Sequence, residues 1–264
     1  MFWQDGAVQM RSAMNEKTRD LLELSHELGL EKRQLAILGE GNTSTKLDDE
    51  KFLVKASGSS LRTLTDQDVT ACRFDKVLNL MEDPDVTDEN LNKALMESRV
   101  SKDSKKPSLE IMFHAWLLNL KGVNFVGHCH PVSCNQVLCS PKAKDFADYR
   151  TCPDEVVCCG KQSVFVDYAD PGLPLAGEIA KATDQFVQNC GYIPRLICLK
   201  NHGVIGLGQS WASVLATILM ADKAAKIFLG AAHLGGPVFL PQSEVERIAG
   251  RSDEAYRQRQ LKLA

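Results

Sequence analysis

Short apolar runs of strand length alternate along the chain with longer stretches in which apolar residues recur at helical spacing, and this alternation narrows the fold more than any other feature. The strand-like runs are Phe52 to Ala56, Cys72 to Leu80, Phe125 to His130, Val164 to Val166 and Leu196 to Lys200. Between them lie helical patterns at Met10 to Leu28, after Pro107-Ser108-Leu109-Glu110, at Pro131 to Cys139, Leu175 to Gln188, and the Ala-rich Ser210 to Leu229. Strands separated by helices call for an α/β protein. Several connections are short enough for antiparallel neighbours, so a mixed α/β sandwich is expected rather than a doubly wound parallel sheet.

The punctuation of these runs adds detail. Gly29 marks the end of the first helix. Leu38-Gly39-Glu40-Gly41-Asn42-Thr43-Ser44 reads as a Gly-rich polar turn, and the strand from Phe52 closes on Ser57-Gly58-Ser59-Ser60; both turns look built to expose backbone amides. Thr65-Asp66-Gln67-Asp68 reads as a helix start or tight turn. Ser108 is a candidate N-cap, which places Glu110 in the first turn of a helix whose apolar face is Ile111, Met112, Ala115 and Leu118. Met81 to Ser108 is poor in periodic signal and is expected to contain a mobile surface loop, and Ser243 to Leu263 reads as a charged helical tail.

Composition bounds the rest. At 264 residues, 44% hydrophobic and 25% charged, a single domain over 1–264 is the simpler organisation. A formal net charge of -3 with scattered Lys and Arg gives nucleic acid no basic face. No apolar run approaches the roughly 20 residues that span a bilayer. The amino terminus lacks the charged-then-apolar layout of a signal peptide, so a soluble, cytoplasmic protein is expected. Nine cysteines, an odd count with Cys158 and Cys159 adjacent and no Cys-X-X-Cys pair, read as reduced thiols, most of them small buried apolar side chains.

Three histidines carry the chemistry. Alternation along a strand sends His128 and His130 to one face, and His202 follows the apolar run Leu196 to Lys200, so a third imidazole can arrive from a neighbouring strand. Three neutral imidazoles suit Zn²⁺ and leave a coordination position open, the pattern of a catalytic rather than a structural site. Each residue also has a plainer reading. His-X-His occurs by chance on polar strand faces, Glu110 suits a helix first turn, Gly41-Asn42 suits a hairpin, and Ser57-Gly58 suits a strand end. His114, four residues after Glu110, reads as a packing residue or carboxylate partner.

Taken together, Gly41-Asn42-Thr43-Ser44, Ala56-Ser57-Gly58, Pro107-Ser108-Leu109-Glu110, His128-Cys129-His130-Pro131 and Asn201-His202-Gly203 resemble, in this order, the motifs of class II aldolase/adducin proteins, over roughly residues 15 to 232. The resemblance implies a three-layer α/β/α sandwich with a mainly antiparallel central sheet and a homo-oligomer, commonly a tetramer with sites between subunits. It implies His128, His130 and His202 as ligands of Zn²⁺ or another divalent metal, and Glu110 as the acid/base carboxylate. Gly41, Asn42, Ser57, Gly58 and Ser108 fall where the family holds a substrate phosphate. The implied activity is a metal-dependent aldolase that reversibly cleaves a ketose phosphate or related sugar into a dihydroxyacetone phosphate-like fragment and an aldehyde. There zinc would stabilise the enediolate charge and Glu110 would carry the proton. A sugar-phosphate epimerase or dehydratase using the same site, and a non-catalytic adducin-like interaction module, are the alternatives. Phosphate-binding members often carry a second small hydroxyl residue before the glutamate, where this chain has Leu109; an unphosphorylated sugar, a sugar acid or a differently held phosphate fits that departure. Tyr256, or else Tyr168, stands as counterpart of the tyrosine that protonates the departing aldehyde in some members.

Overall fold

The computed structural model describes residues 2–82, 88–253, 256 and 258. Among these, seven strands form one sheet: β1 (Asn42–Lys46), β2 (Lys51–Lys55), β3 (Val69–Arg73), β4 (Phe125–Cys129), β5 (Val164–Val166), β6 (Leu196–Leu199) and β7 (Gly203–Gly208). Their spatial order is β3-β2-β1-β4-β7-β6-β5, and every pairing is antiparallel except β5 with β6. The helices are α1 (Phe2–Leu28), α2 (Phe74–Glu82), α3 (Asp88–Glu97), α4 (Ile111–Leu118), α5 (Val132–Leu138), α6 (Ala143–Asp148), α7 (Pro153–Cys159), α8 (Leu173–Cys190), α9 (Trp211–Ala232) and α10 (Gln242–Ala249). No described helix is long and apolar enough to cross a membrane.

Side chains alternate along each strand, so the sheet offers an apolar face to two helical layers. Ile197 and Leu199 of β6 pack with Ile205 and Leu207 of β7 under α4 and α8, in the cluster that also takes Phe52, Val54, Phe74 and Val77. Leu196, Cys198 and Val204 point the other way, toward α5, α7 and α9, while Phe125 and Cys129 meet α1 and α9. This is the expected three-layer α/β/α sandwich with a mostly antiparallel sheet. All nine cysteines are free thiols, and Cys72, Cys129, Cys134, Cys158, Cys159 and Cys198 are buried.

Several local expectations change. The run Cys72 to Leu80 is not a strand: β3 ends at Arg73, and α2 follows with Phe74 and Val77 buried three residues apart, at helical period. Met81 to Ser108 contains α3, anchored by buried Leu91 and Leu95 at i,i+4 spacing; residues 83–87 of that stretch lie outside the described residues. The turn read at Leu38 to Ser44 ends at Gly41, since Asn42 already pairs with His128 of β4. The tail is helical over α10, and residues 254, 255, 257 and 259–263 of the expected tail helix lie outside the described set. Strand β7 and helices α6 and α7 carried no sequence signal strong enough to mark them. In β7 the sequence Gly-Val-Ile-Gly-Leu-Gly looks like a loop, but α9 packs so closely that a Cβ on Gly206 would lie 3.0 Å from Ile218.

The helix after Pro107 starts later than its motif suggests. Ala56 bridges to Pro107, and Ser108 N–H donates to the Lys55 carbonyl at 3.3 Å, which holds residues 107–108 extended. Helix α4 therefore begins at Ile111, and Glu110 is its N-cap residue with no side-chain cap, not a first-turn residue. Nor is α4 amphipathic. Ile111 to Ala115, Leu117 and Leu118 are all buried, because the helix is enclosed by the sheet, α2 and α8.

Candidate metal centre

The sheet assembles the site at the ends of its central strands. His128 lies in β4, and His130 follows just beyond the end of that strand, where its backbone N–H donates to the Leu35 carbonyl at 2.9 Å. His202 sits in the three-residue connection between β6 and β7; β7, not β6, is the strand beside β4. Asn201 takes a left-handed φ of 56° in that connection, and Asn135 of α5 ties it down by donating its amide to the His202 carbonyl at 2.9 Å.

The three imidazoles form a nearly equilateral triangle, with ring centroids 4.8, 4.9 and 4.9 Å apart. One ring nitrogen from each lies within 4.8 Å of the others. His128 Nε2 and His130 Nε2 are 3.0 Å apart. Protonation follows from the surroundings. Burial, and then the nearby His202, push the His128 pKa down to about 3. Burial and then His128 lower His130 to about 4 against the pull of Glu40 and Glu110. Burial also lowers His202, against the opposing pull of Glu110. All three are neutral at pH 7.

In neutral His128, Nδ1 lies 3.0 Å from the Val204 carbonyl, which can only accept, so Nδ1 bears the proton and the Nε2 lone pair faces the other two rings. A carbonyl fixing the tautomer from behind is the usual support of a metal-binding imidazole. The residues present thus fit a divalent cation: three neutral nitrogens converge, one already in the ligand tautomer, beside a carboxylate.

That carboxylate is Glu110, whose Oε1 and Oε2 lie 3.5 Å from His202 Nε2 and 3.7 Å from His128 Nε2. Asn42 Nδ2 donates to Glu110 Oε2 at 2.5 Å. Because a carboxylate only accepts, this sets the Asn42 amide orientation, and its Oδ1 then accepts from His114 Nε2. His114 Nδ1 is left to accept from the Ser44 hydroxyl at 2.6 Å. Burial, followed by the charges of His128 and Lys55, holds His114 well below its ordinary pKa, so this chain of neutral groups ends on Glu110.

The residues expected around a phosphate are only partly gathered. Asn42 and Ser108 meet Glu110: Ser108 Oγ accepts from Glu110 N–H at 3.3 Å and from Asn42 Nδ2 at 3.4 Å. Gly41 abuts β4, where its φ of 71° and a Cβ position 2.6 Å from the His128 carbonyl leave room for nothing larger. Ser57 and Gly58 are exposed. The Ser57 amide is not displayed as the turn suggests, because it donates to the Lys106 carbonyl at 2.8 Å. Tyr168 is exposed and donates to Asp170 at 3.0 Å, and Tyr256 is exposed; neither hydrogen-bonds the histidines or Glu110 among the described residues.

Sequence reasoning passed over His114 as the partner of Asn42, Ser44 behind it, Asn135, and Glu40, whose Oε1 is 3.9 Å from His130 Nδ1. Signals existed for two of them. Ser44 shares a β1 face with Asn42, and His114 lies one turn beyond Glu110.

The profile of the Class II Aldolase and Adducin N-terminal domain matches residues 19–229. A Bacillus subtilis (strain 168) protein called uncharacterized oxidoreductase YuxG is 26% identical over 180 residues, which cover 65% of this chain and 24% of that protein. The chain thus spans less than a quarter of that relative's length. Methylthioribulose-1-phosphate dehydratase of the same organism is 26% identical over 215 residues, 75% of this chain and 85% of the enzyme. Among solved structures, an L-fuculose 1-phosphate aldolase superposes with a TM-score of 0.67 at 19% identity, over 89% of this chain and 94% of that one. The N-terminal class II aldolase domain of a conserved Thermoplasma acidophilum protein does so with 0.65 at 23%, over 80% and 93%.

Proposed function

This chain belongs to the class II aldolase and adducin family, and on that premise we propose that it is a metal-dependent lyase acting on a ketose phosphate or closely related sugar. The observation that carries the reading is the convergence of His128, His130 and His202 beside the Glu110 carboxylate. A scaffold has no use for three neutral imidazoles, one of them held in the ligand tautomer. His128, His130 and His202 would hold a divalent cation, zinc first. That cation supplies a Lewis acid to negative charge developing on substrate oxygens.

The protein's own groups do the rest. Glu110 removes and returns the substrate proton, a role that contributes about 10² to 10⁴-fold. Asn42, braced by His114, aims the carboxylate, and His114 stays uncharged because it is buried. Carbon-carbon cleavage to a dihydroxyacetone phosphate-like fragment and an aldehyde is the leading reaction. Dehydration on the same site is the second reading, favoured by the likeness to methylthioribulose-1-phosphate dehydratase across most of that enzyme. The proposal includes a homotetramer in the cytoplasm.

The test is metal content per chain of untagged protein, then turnover and product analysis on ketose phosphates. Wild type carries near-stoichiometric divalent metal, His130→Ala loses it, and Glu110→Gln keeps it while turnover falls by about 10² or more. Products separate cleavage from loss of water. Turnover retained in both variants would refute the proposal.

A further inference from the structure

The imidazoles of the centre are not supported alike. His128 has the Val204 carbonyl behind its Nδ1. His130 Nδ1 has no such carbonyl among the described residues and faces a carboxylate instead, Glu40 Oε1 at 3.9 Å. The other edges of the His130 ring are taken: Nε2 lies 3.0 Å from His128 Nε2, and Cδ2 rests so close to β7 that a Cβ on Gly203 would lie 2.8 Å from it. The turn before β1 places the carboxylate. Glu40 N–H donates to the Ile37 carbonyl at 3.1 Å, and Ile37 N–H donates back to Glu40 Oε2 at 2.9 Å, which leaves Oε1 for the histidine. Bonds from His130 N–H to the Leu35 carbonyl and from Val132 N–H to the Gln34 carbonyl, at 2.9 and 3.3 Å, tie the segment leading into this turn to the residues that follow β4. Ring and carboxylate are thus held face to face.

At 3.9 Å the contact is longer than a hydrogen bond, yet its sign bears on the tautomer. A neutral imidazole has one N–H and one lone pair. A carboxylate attracts an N–H that points at it and repels a lone pair, so the His130 proton belongs on Nδ1 and the lone pair on Nε2, the nitrogen that faces His128. Capping Ile37 is the plainer role of Glu40, but it occupies one oxygen only, and the other is aimed at the back of a ligand ring. A carboxylate in that place orients an imidazole and raises its basicity toward a metal. We propose that Glu40 is a positioning residue of the metal centre: its carboxylate keeps the His130 proton on Nδ1, presents Nε2 to the divalent cation and tightens its binding. This deepens the lyase reading above and rests on its metal centre.

The test is the zinc affinity of untagged wild type, Glu40→Gln and Glu40→Ala, measured by competition with a chromogenic chelator. Glu40→Gln keeps an oxygen for Ile37 N–H but loses the charge; Glu40→Ala loses both. Each variant is expected to bind zinc about 10 to 100-fold more weakly than wild type, while metal-free Glu40→Gln melts within a few degrees of it. In metal-free protein labelled with nitrogen-15 histidine, His130 carries its proton on Nδ1 in wild type and shifts toward Nε2 protonation in Glu40→Gln. With Co²⁺ in place of zinc, the visible spectrum keeps its shape in both variants, because Glu40 is not itself a ligand. Zinc affinity lost in Glu40→Ala but kept in Glu40→Gln would reduce Glu40 to a turn cap. That result, equal affinity in all three proteins, an unchanged His130 tautomer or an altered Co²⁺ spectrum would each overturn the proposal. Wild type that takes up no zinc overturns this inference and the lyase together. Zinc affinity indifferent to Glu40, with turnover still lost in Glu110→Gln, refutes this inference and leaves the lyase standing; Glu40-dependent zinc binding without turnover of the ketose phosphates refutes the lyase and leaves the role of Glu40 intact.

Discussion

Acid should weaken the metal-free protein through His128 in particular, and the size of the effect can be worked out. His128 is fully buried, and its pKa in the fold is about 3; in the unfolded chain it returns to about 6.5. Below pH 6.5 the unfolded state therefore takes up a proton that the folded state refuses. The stability held through this group is complete above pH 6.5 and is lost progressively as the pH falls toward 3. With about 1.4 kcal/mol for each pH unit inside that window, going from pH 7 to pH 5 removes about 2 kcal/mol through His128 alone.

Urea unfolding in chelator at the two pH values, for wild type and for His128→Gln, isolates this part. The surface carboxylates titrate alike in both proteins and cancel. Wild type should lose about 2 kcal/mol more than the variant between pH 7 and pH 5. Removing His128 also relieves His130, whose pKa it helps to depress, and this widens the difference in the same direction. Equal losses in the two proteins would refute both the low pKa and the neutral, ligand-ready state deduced from it.

Two further substitutions test the frame around the site. Gly41→Ala forces a side chain into a φ of 71° and a Cβ against the His128 carbonyl, and should cost about 1–3 kcal/mol in urea unfolding; an unchanged midpoint would show that β1 and β4 can part freely there. Arg150 is 1% exposed and donates to the carbonyls of Ala147, Tyr149 and Gly160 and to the Ser163 hydroxyl, with Glu155 3.8 Å away. Arg150→Met strands those acceptors and a buried carboxylate, for an expected loss of about 3–5 kcal/mol, whereas Arg150→Met combined with Glu155→Met should recover part of it. A single variant as stable as wild type would mean the network contributes nothing.

The ordered motifs made the family legible before any coordinates, and they named residues that the fold then brings together. His128, His130 and His202 do converge, although the argument from strand alternation holds only partly, because β4 stops at Cys129 and His130 reaches the others from beyond its end. The weaker readings failed where short apolar runs fit two periods. Phe74 and Val77 served a helix rather than a strand, and the glycines of β7 hid a central strand whose partner helix packs too closely for side chains.

From sequence alone came the alternation of strands and helices, the preference for antiparallel neighbours, and the identity of the three histidines and Glu110, because periodicity and motif order are properties of the chain itself. Tertiary structure alone decided how those groups are held. Val204 selects the His128 tautomer, and Asn42 and His114 take hold of Glu110. The physical reason is that each of these depends on partners from elements distant in sequence, Val204 76 residues from His128 and His114 72 from Asn42. Burial and hydrogen bonding between them exist only once the sheet has brought β1, β4 and β7 side by side.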